Sequence, residues 1–236
     1  MKHFALIGKK LGHSWSQQWF NELFAKLGLE DYHYELHEMV SLNGLRQWVN
    51  ERNISGFNVT IPYKQAIMPL LDAMTSEAEA IGAVNCVCVN DGRLIGHNTD
   101  APAFRDTLST FHFPISTLIL GTGGAARAVG YALGSLGVEH VYVSRTPKDG
   151  SISYYDAAAL PPRFNMLVNA TPVGMWPNVD ACPWTADLRR FKYVYDLIYN
   201  PSPTLLMQRA TACGATVTDG LSMLHRQAAF SWQLWQ

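Results

Sequence analysis

The chain has 236 residues, 48% of them apolar and 16% charged, with a formal net charge of −1. That is apolar material for one large domain or two small ones, and the balanced charge gives no electrostatic case for nucleic acid or an anionic membrane. No apolar run approaches the roughly 20 residues that span a bilayer, and the opening run Met1 to Gly8 reads as a buried strand, too short for a secretory signal. Cys86, Cys88, Cys182 and Cys213 lack a zinc or redox spacing, so reduced thiols in the cytoplasm are expected.

After the strand at 2–8 come Gly12-His13-Ser14-Trp15-Ser16 and a helix with apolar positions Trp19, Phe20, Phe24 and Leu27. Ser16 is the expected N-cap and Gly28 the stop. Strands at 32–37 and 55–60 flank a helix at 41–51. Pro62 suits the first turn of another helix, which Pro69 keeps short. Val84 to Val89 and Arg93 to Gly96 flank Asn90-Asp91-Gly92, a hairpin signal that makes the first sheet mixed. A helix at 101–110 precedes a βαβ unit of strand 116–121, helix 124–136 and strand 139–144. Strands at 165–169 and 193–198, a helix at 203–212 and a strand at 215–218 follow. Pro147, Gly150, Pro161 and Pro162 leave room only for a trimmed crossover between 145 and 165. Leu221 to Trp235 is apolar on nearly every side, the pattern of a buried helix. The expected fold is α/β and two-lobed. A mixed-sheet substrate domain spans 1–100 plus 219–236, with the last helix returning to it, and a Rossmann-like dinucleotide-binding domain spans 101–218.

Two charged side chains stand where open α/β sheets bind ligands, just past strand-like runs. They are Lys64, ending Asn58-Val59-Thr60-Ile61-Pro62-Tyr63-Lys64, and Asp100, ending Asn98-Thr99-Asp100. A lysine can move a proton or hold an alkoxide, and a carboxylate can orient it and tune its pKa. Gly121-x-Gly123-x-x-Ala126 lies between a strand and a helix, the context in which backbone N–H groups receive a pyrophosphate. The following strand ends Ser144-Arg145-Thr146. An NAD site usually carries an acid there, whereas an arginine suits the 2′-phosphate of NADP. A surface arginine is the plain alternative. Ser14 and Ser16 before a helix can hold a carboxylate or serve as ordinary caps. His13 and His97 are candidates for a general acid and equally for structural hydrogen bonding. His33-x-Glu35-x-His37 alternates with an apolar face of Tyr32, Tyr34 and Leu36. That leaves the histidines toward solvent, and no metal is expected.

Together these segments resemble the shikimate dehydrogenase family along essentially the whole chain. The resemblance is carried by the serine segment 12–16, the lysine motif 58–64, Ile81-Gly82-Ala83-Val84-Asn85 and Asn98-Thr99-Asp100. Downstream it continues through Asn169-Ala170-Thr171-Pro172-Val173-Gly174-Met175, Asp196-Leu197-Ile198-Tyr199-Asn200-Pro201 and Asp219-Gly220-Leu221-Ser222-Met223-Leu224-x-x-Gln227-Ala228. It implies NADPH-dependent reduction of 3-dehydroshikimate to shikimate in aromatic amino-acid biosynthesis, with Lys64 and Asp100 catalytic. Ser14, Ser16, Thr60, Asn85, Tyr199 and Gln227 would bind substrate. Gly121, Gly123, Gly124, Ala125 and Ala126 would hold the pyrophosphate, and Ser144, Arg145 and Thr146 the adenosine end. Leu197, Gly220 and Met223 would lie near the nicotinamide. The implied partners are small molecules only, in a monomer or homodimer.

Several positions depart from the family pattern. Gln17 replaces a usual proline, Phe20 a common histidine, and Asp149 a frequent basic residue, while 147–162 is shorter than usual. Three alternatives are a quinate/shikimate dehydrogenase with relaxed cofactor use, a folate-linked dehydrogenase and a non-catalytic ligand sensor. Arg145 argues against strict NAD use, Lys64 and Asp100 against a sensor, and the serines with Gln227 against a pterin.

Overall fold

A computed structural model describes residues 1–12, 14–108, 116–148 and 150–236. The chain divides into two units, Met1–Thr99 with Gln227–Gln236, and Asp100–Arg226.

In the first unit, β1 (Lys2–Gly8) lies between β2 (Tyr32–Glu38) and β3 (Ile54–Val59), parallel to both. The hairpin of β5 (Cys86–Asn90) and β6 (Arg93–His97) adds two antiparallel strands beside β3, and β4 (Ala73–Met74) pairs with β6, giving the order β2-β1-β3-β5-β6-β4. Asp91 and Gly92 turn the hairpin with φ of 49° and 75°, the left-handed pair a two-residue turn requires. Because β5 runs backwards, its first residues stand at the same sheet end as the last residues of β3 and β6.

Both faces of this sheet are covered. On one, Trp48 and Val49 of α2 (Leu45–Glu51) pack on Ile7, Phe57 and Val59. On the other, Phe20 and Phe24 of α1 (Trp15–Lys26) pack with Phe4, Tyr34 and, near the chain end, Trp232 and Trp235. Phe20 stacks on Tyr34 with centroids 4.3 Å apart. The Trp235 indole N–H donates to the Val87 carbonyl at 3.1 Å and occupies the space above Gly56 where any Cβ would collide. Each buried aromatic contributes roughly 1.5–3 kcal/mol, so Phe20, although it departs from the family pattern, is a core residue here.

The second unit is wholly parallel, ordered β12-β11-β10-β7-β8-β9. The strands are β7 (Ser116–Leu120), β8 (His140–Val143), β9 (Ser151–Ile152), β10 (Phe164–Asn169), β11 (Tyr193–Asp196) and β12 (Thr216–Thr218). The chain starts in the middle, builds outward to β9, then returns past β7 to build the other half. That is the doubly wound dinucleotide-binding order, with its reversal between β7 and β10. The expected fold class is therefore present in both units. The crossover after β8 is trimmed to β9 and the short α7 (Tyr154–Ala159), as the prolines require.

Several local expectations differ from the structure. Ser14, not Ser16, caps α1, because the helix begins at Trp15, two residues earlier than a Ser16 cap implies. α2 starts at Leu45 rather than 41, after Gly44 in a left-handed conformation. β4 and α4 (Ser76–Ile81) were not expected; each is short, and α4 depends on the Thr75 hydroxyl accepting from Ala78 N at 3.2 Å. The helix expected at 101–110 is α5 (Asp100–Thr107), and residues 109 and 110 lie outside those described. His37 does not simply face solvent: its ring stacks on Trp48 at 4.6 Å, and burial lowers its pKa. The last helix, α9 (Leu221–Trp235), is not buried all round. Met223, Ala228, Ser231, Trp232 and Trp235 are buried, whereas Leu221, His225, Arg226, Gln233 and Leu234 are exposed.

Candidate active site

One end of the first unit's sheet collects the polar residues singled out above. There β1 ends at Gly8, β3 at Val59 and β6 at His97, while β5 starts after Asn85. Hydrogen bonds tie these ends together. Thr60 N donates to Ile7 O at 2.9 Å and Val59 N to Asn85 O at 2.9 Å. Val84 N donates to the Lys64 carbonyl at 2.8 Å, bringing the lysine's backbone beside the 81–85 segment. Lys64 itself is half-buried in the single turn α3 (Tyr63–Ala66).

Asn85 is 2% exposed and joins this segment to the next, since its side-chain oxygen accepts from Thr99 N at 2.7 Å and its amide donates to Thr99 Oγ1 at 2.9 Å. Asn98 donates to the Ala83 carbonyl at 2.8 Å. Asp100 follows directly, buried, as the first residue of α5.

Asn58 lies at the centre of a network that the motif alone does not reveal. Its amide donates to Ser231 Oγ at 2.8 Å and to Asn85 O at 3.2 Å, and its oxygen accepts from the Tyr34 hydroxyl at 2.9 Å. Both amide hydrogens are thus engaged within the protein. Burial pushes the Tyr34 phenol well above its ordinary pKa, so it remains a donor. Ser231, fully buried on α9, also donates to the Gln227 carbonyl at 2.9 Å, and its oxygen lies 3.3 Å from Thr99 Oγ1. Sequence reasoning missed Tyr34, Thr99 and Ser231. Nothing about a serine in an apolar helix marks it, and Ser231 lies 173 positions from Asn58.

Ser14 and Ser16 sit at the start of α1, where Ser14 Oγ accepts from Ser16 N at 3.3 Å. Ser14 therefore is a cap, a role that leaves its hydroxyl hydrogen to donate elsewhere. The approach to it is fixed by Leu11 N donating to Glu38 at 2.7 Å. His97 is half-buried opposite Cys86, while His13 lies outside the described residues, as does Asp149.

In the second unit the glycine turn follows β7 at the point of reversal. Gly121 has φ +106°, and a Cβ on it would stand 3.2 Å from both Ala170 O and Thr171 Cγ2. Only glycine fits that path. Gly123 differs: nothing lies within 4 Å of where its Cβ would be, and it begins α6 (Gly124–Ser135) without a side-chain cap. A 12-residue helix with an uncapped start beside open space is a cradle for an anion, and the turn fits a pyrophosphate. Ala126 is buried against the sheet, while Gly124 and Ala125 are half-buried.

After β8, Ser144 Oγ donates to Thr146 O at 3.1 Å and accepts from Thr146 N at 3.2 Å. The Ser144 hydroxyl thus closes a turn that presents the exposed Arg145. Tyr154, not anticipated, lies close enough for the Arg145 charge to oppose the upward push of burial on its phenol. Leu197 and Gly220 meet: Gly220 N donates to Ile198 O at 3.1 Å, and a Cβ on Gly220 would strike the Leu197 carbonyl. Met223 is buried on the first turn of α9. Tyr199 is half-buried, and burial raises its phenol pKa.

Comparison with known proteins identifies the family. The family model for the shikimate dehydrogenase substrate binding domain matches residues 6–87. A curated shikimate dehydrogenase (NADP(+)) of Clostridium beijerinckii is 36% identical over 252 residues, covering 100% of this chain and 92% of that protein. The chain belongs to the shikimate dehydrogenase family. It is an oxidoreductase of a class that uses NADP. The crystal structure of shikimate dehydrogenase 1 from Peptoclostridium difficile superposes with a TM-score of 0.92 at 34% identity, covering 100% of this chain and 92% of that one. The shikimate 5-dehydrogenase of Thermus thermophilus, solved in complex with NADP(H) and shikimate, gives 0.86 at 35% identity, covering 100% and 94%.

Proposed function

We propose that this protein catalyses the reversible reduction of 3-dehydroshikimate to shikimate with NADPH, in aromatic amino-acid biosynthesis. The observation that carries the reading is the hydrogen-bonded gathering of Thr60, Lys64 and Asn85 at one sheet end, with Asp100 next to the Thr99 that Asn85 holds. Residues 1–99 with the chain end then form the substrate domain, and 100–226 the NADP domain.

NADPH supplies a hydride to the ring ketone when bound. Negative charge then develops on the ketone oxygen, and Lys64 stabilises it or donates the proton, with Asp100 sharing the proton's path. Ser14 and Ser16 hold the substrate carboxylate, and Thr60, Asn85, Tyr199 and Gln227 contact ring hydroxyls. The backbone of Gly121 to Ala126 receives the pyrophosphate. Arg145, with Ser144 and Thr146 shaping its turn, faces the 2′-phosphate, and Leu197, Gly220 and Met223 border the nicotinamide. Asn58 supports this surface from beneath. We place the enzyme in the cytoplasm, as a monomer or homodimer. Among the described residues no helix is long and apolar enough to cross a membrane.

The test is oxidation of shikimate with NADP+, followed by the near-ultraviolet absorbance of reduced nicotinamide. Turnover with shikimate and NADP+ well above that with quinate or NAD+ is expected. Equal rates with quinate or NAD+ would make this a relaxed quinate/shikimate dehydrogenase, and ligand binding without turnover a sensor.

A further inference from the structure

We propose that Asn169 and Asp196 form a buried positioning pair that shapes the two loops beyond β10 and β11 and, through them, the grip on the nicotinamide end of the cofactor. The inference rests on the NADP reading above. The two residues are opposite one another at the last step of the β10–β11 ladder, both 0% exposed. Asn169 Nδ2 donates to Asp196 Oδ1 at 2.9 Å and to Val173 O at 3.3 Å, while its oxygen accepts from Thr171 N at 3.0 Å and Thr171 Oγ1 at 2.7 Å. Asp196 Oδ1 accepts from Ile198 N at 3.1 Å and Oδ2 from Thr204 Oγ1 at 2.7 Å. One side-chain pair therefore holds both the 170–173 loop, whose Thr171 walls the Gly121 turn, and the 197–204 loop, whose Leu197 carbonyl rests on Gly220.

These partners of Asp196 are all neutral, and the charge that acts on it from the β12–α9 turn is a second carboxylate, Asp219, itself tied to Ser202 at 2.6 Å. Burial accordingly lifts the Asp196 carboxyl to about 6. A buried carboxylate without a cation costs folding energy that an apolar residue would spare. Its benefit lies instead in shape. It draws a backbone N–H, an amide and a hydroxyl to one point, as an apolar side chain cannot.

The test compares NADPH with 2′,5′-ADP, which carries the adenosine and 2′-phosphate end alone, as ligands of the full chain. Asp196→Ala should weaken NADPH about tenfold or more, since small misplacements of a binding loop are costly, and leave 2′,5′-ADP at native affinity. Asp196→Asn keeps two acceptor contacts and turns an amide to Thr204, and should restore NADPH binding. Should Asp196→Ala fail to fold, Thr204→Val removes one donor and should show the same selective pattern at smaller size. Native NADPH affinity in the folded variants, or equal losses for both nucleotides, would overturn the inference. A native protein that binds neither nucleotide overturns the NADP reading and this inference with it.

Discussion

In the first unit the polar sheet end is stiffened by side chains: Asn58, Asn85, Thr99 and Ser231 are buried and joined to one another by hydrogen bonds. In the second, the turn after β7 is built from missing side chains, with Gly121 where a Cβ would crowd the β10 loop and Gly123 facing open space. On the proposed function, the first unit meets a small hydroxylated ring with directional groups that must not move, and the second layer of amides and hydroxyls behind them holds them in place. On the same proposal, the second unit meets a pyrophosphate with backbone N–H groups, which a turn without side chains leaves open to close approach. One surface should fail when atoms are taken away, the other when atoms are added.

The largest effect is expected from Lys64→Ala. Loss of charge stabilisation at the ketone oxygen should lower kcat by about 10²-fold or more, with shikimate binding largely kept. Steady-state kinetics with a separate binding titration checks this, and a native kcat with only a raised KM would reduce Lys64 to a binding residue.

Arg145→Ala tests whether the second unit recognises the adenosine end of the cofactor by a side chain. Losing charge-assisted hydrogen bonds to the 2′-phosphate, worth roughly 1.5–3 kcal/mol, should weaken NADPH about 10- to 150-fold and hardly change NADH. Equal losses for both would mean that the guanidinium stacks or supports the turn instead.

Replacing Ser14 and Ser16 together by alanine should raise the shikimate KM by more than about tenfold, at roughly 1.5–3 kcal/mol for each lost bond to the carboxylate. Because Ser14 also caps α1, thermal unfolding should show a loss of about 1 kcal/mol. A stability loss without a KM change would leave the serines as caps only.

The smallest change sharpens the contrast most directly. Gly121→Ala should destabilise the fold by about 1–3 kcal/mol, from left-handed strain and crowding against Ala170 and Thr171. Gly123→Ala meets no protein atom and should leave the melting temperature nearly unchanged, yet weaken NADPH. If both act only on stability, no phosphate approaches Gly123.

Much of this was legible in the chain because its causes are local. Apolar runs, and in β2 an apolar–polar alternation, marked the longer strands. Asn90-Asp91-Gly92 encoded the left-handed turn that makes the first sheet mixed, and the prolines around 147–162 limited the second crossover. The glycine turn was readable for the same reason: a constraint on a few consecutive φ/ψ values is written in consecutive residues. Short elements such as β4 and α4 were not, since a two-residue strand is held by its neighbour β6 rather than by its own pattern.

What only the tertiary structure decided is where each polar side chain spends its hydrogen bonds. By sequence Asn58 and Thr60 are alike, two polar residues before the lysine. The fold instead turns Asn58 inward to Tyr34, Asn85 and Ser231, drawn from β2, the residue before β5, and α9. Likewise α9 is apolar on most sides by composition, yet the sheet covers only the side carrying Ala228, Ser231, Trp232 and Trp235. Periodicity reports what one segment offers for burial. Which groups are covered, and which buried donors and acceptors find one another, depends on segments far apart in the chain and is settled only when they pack.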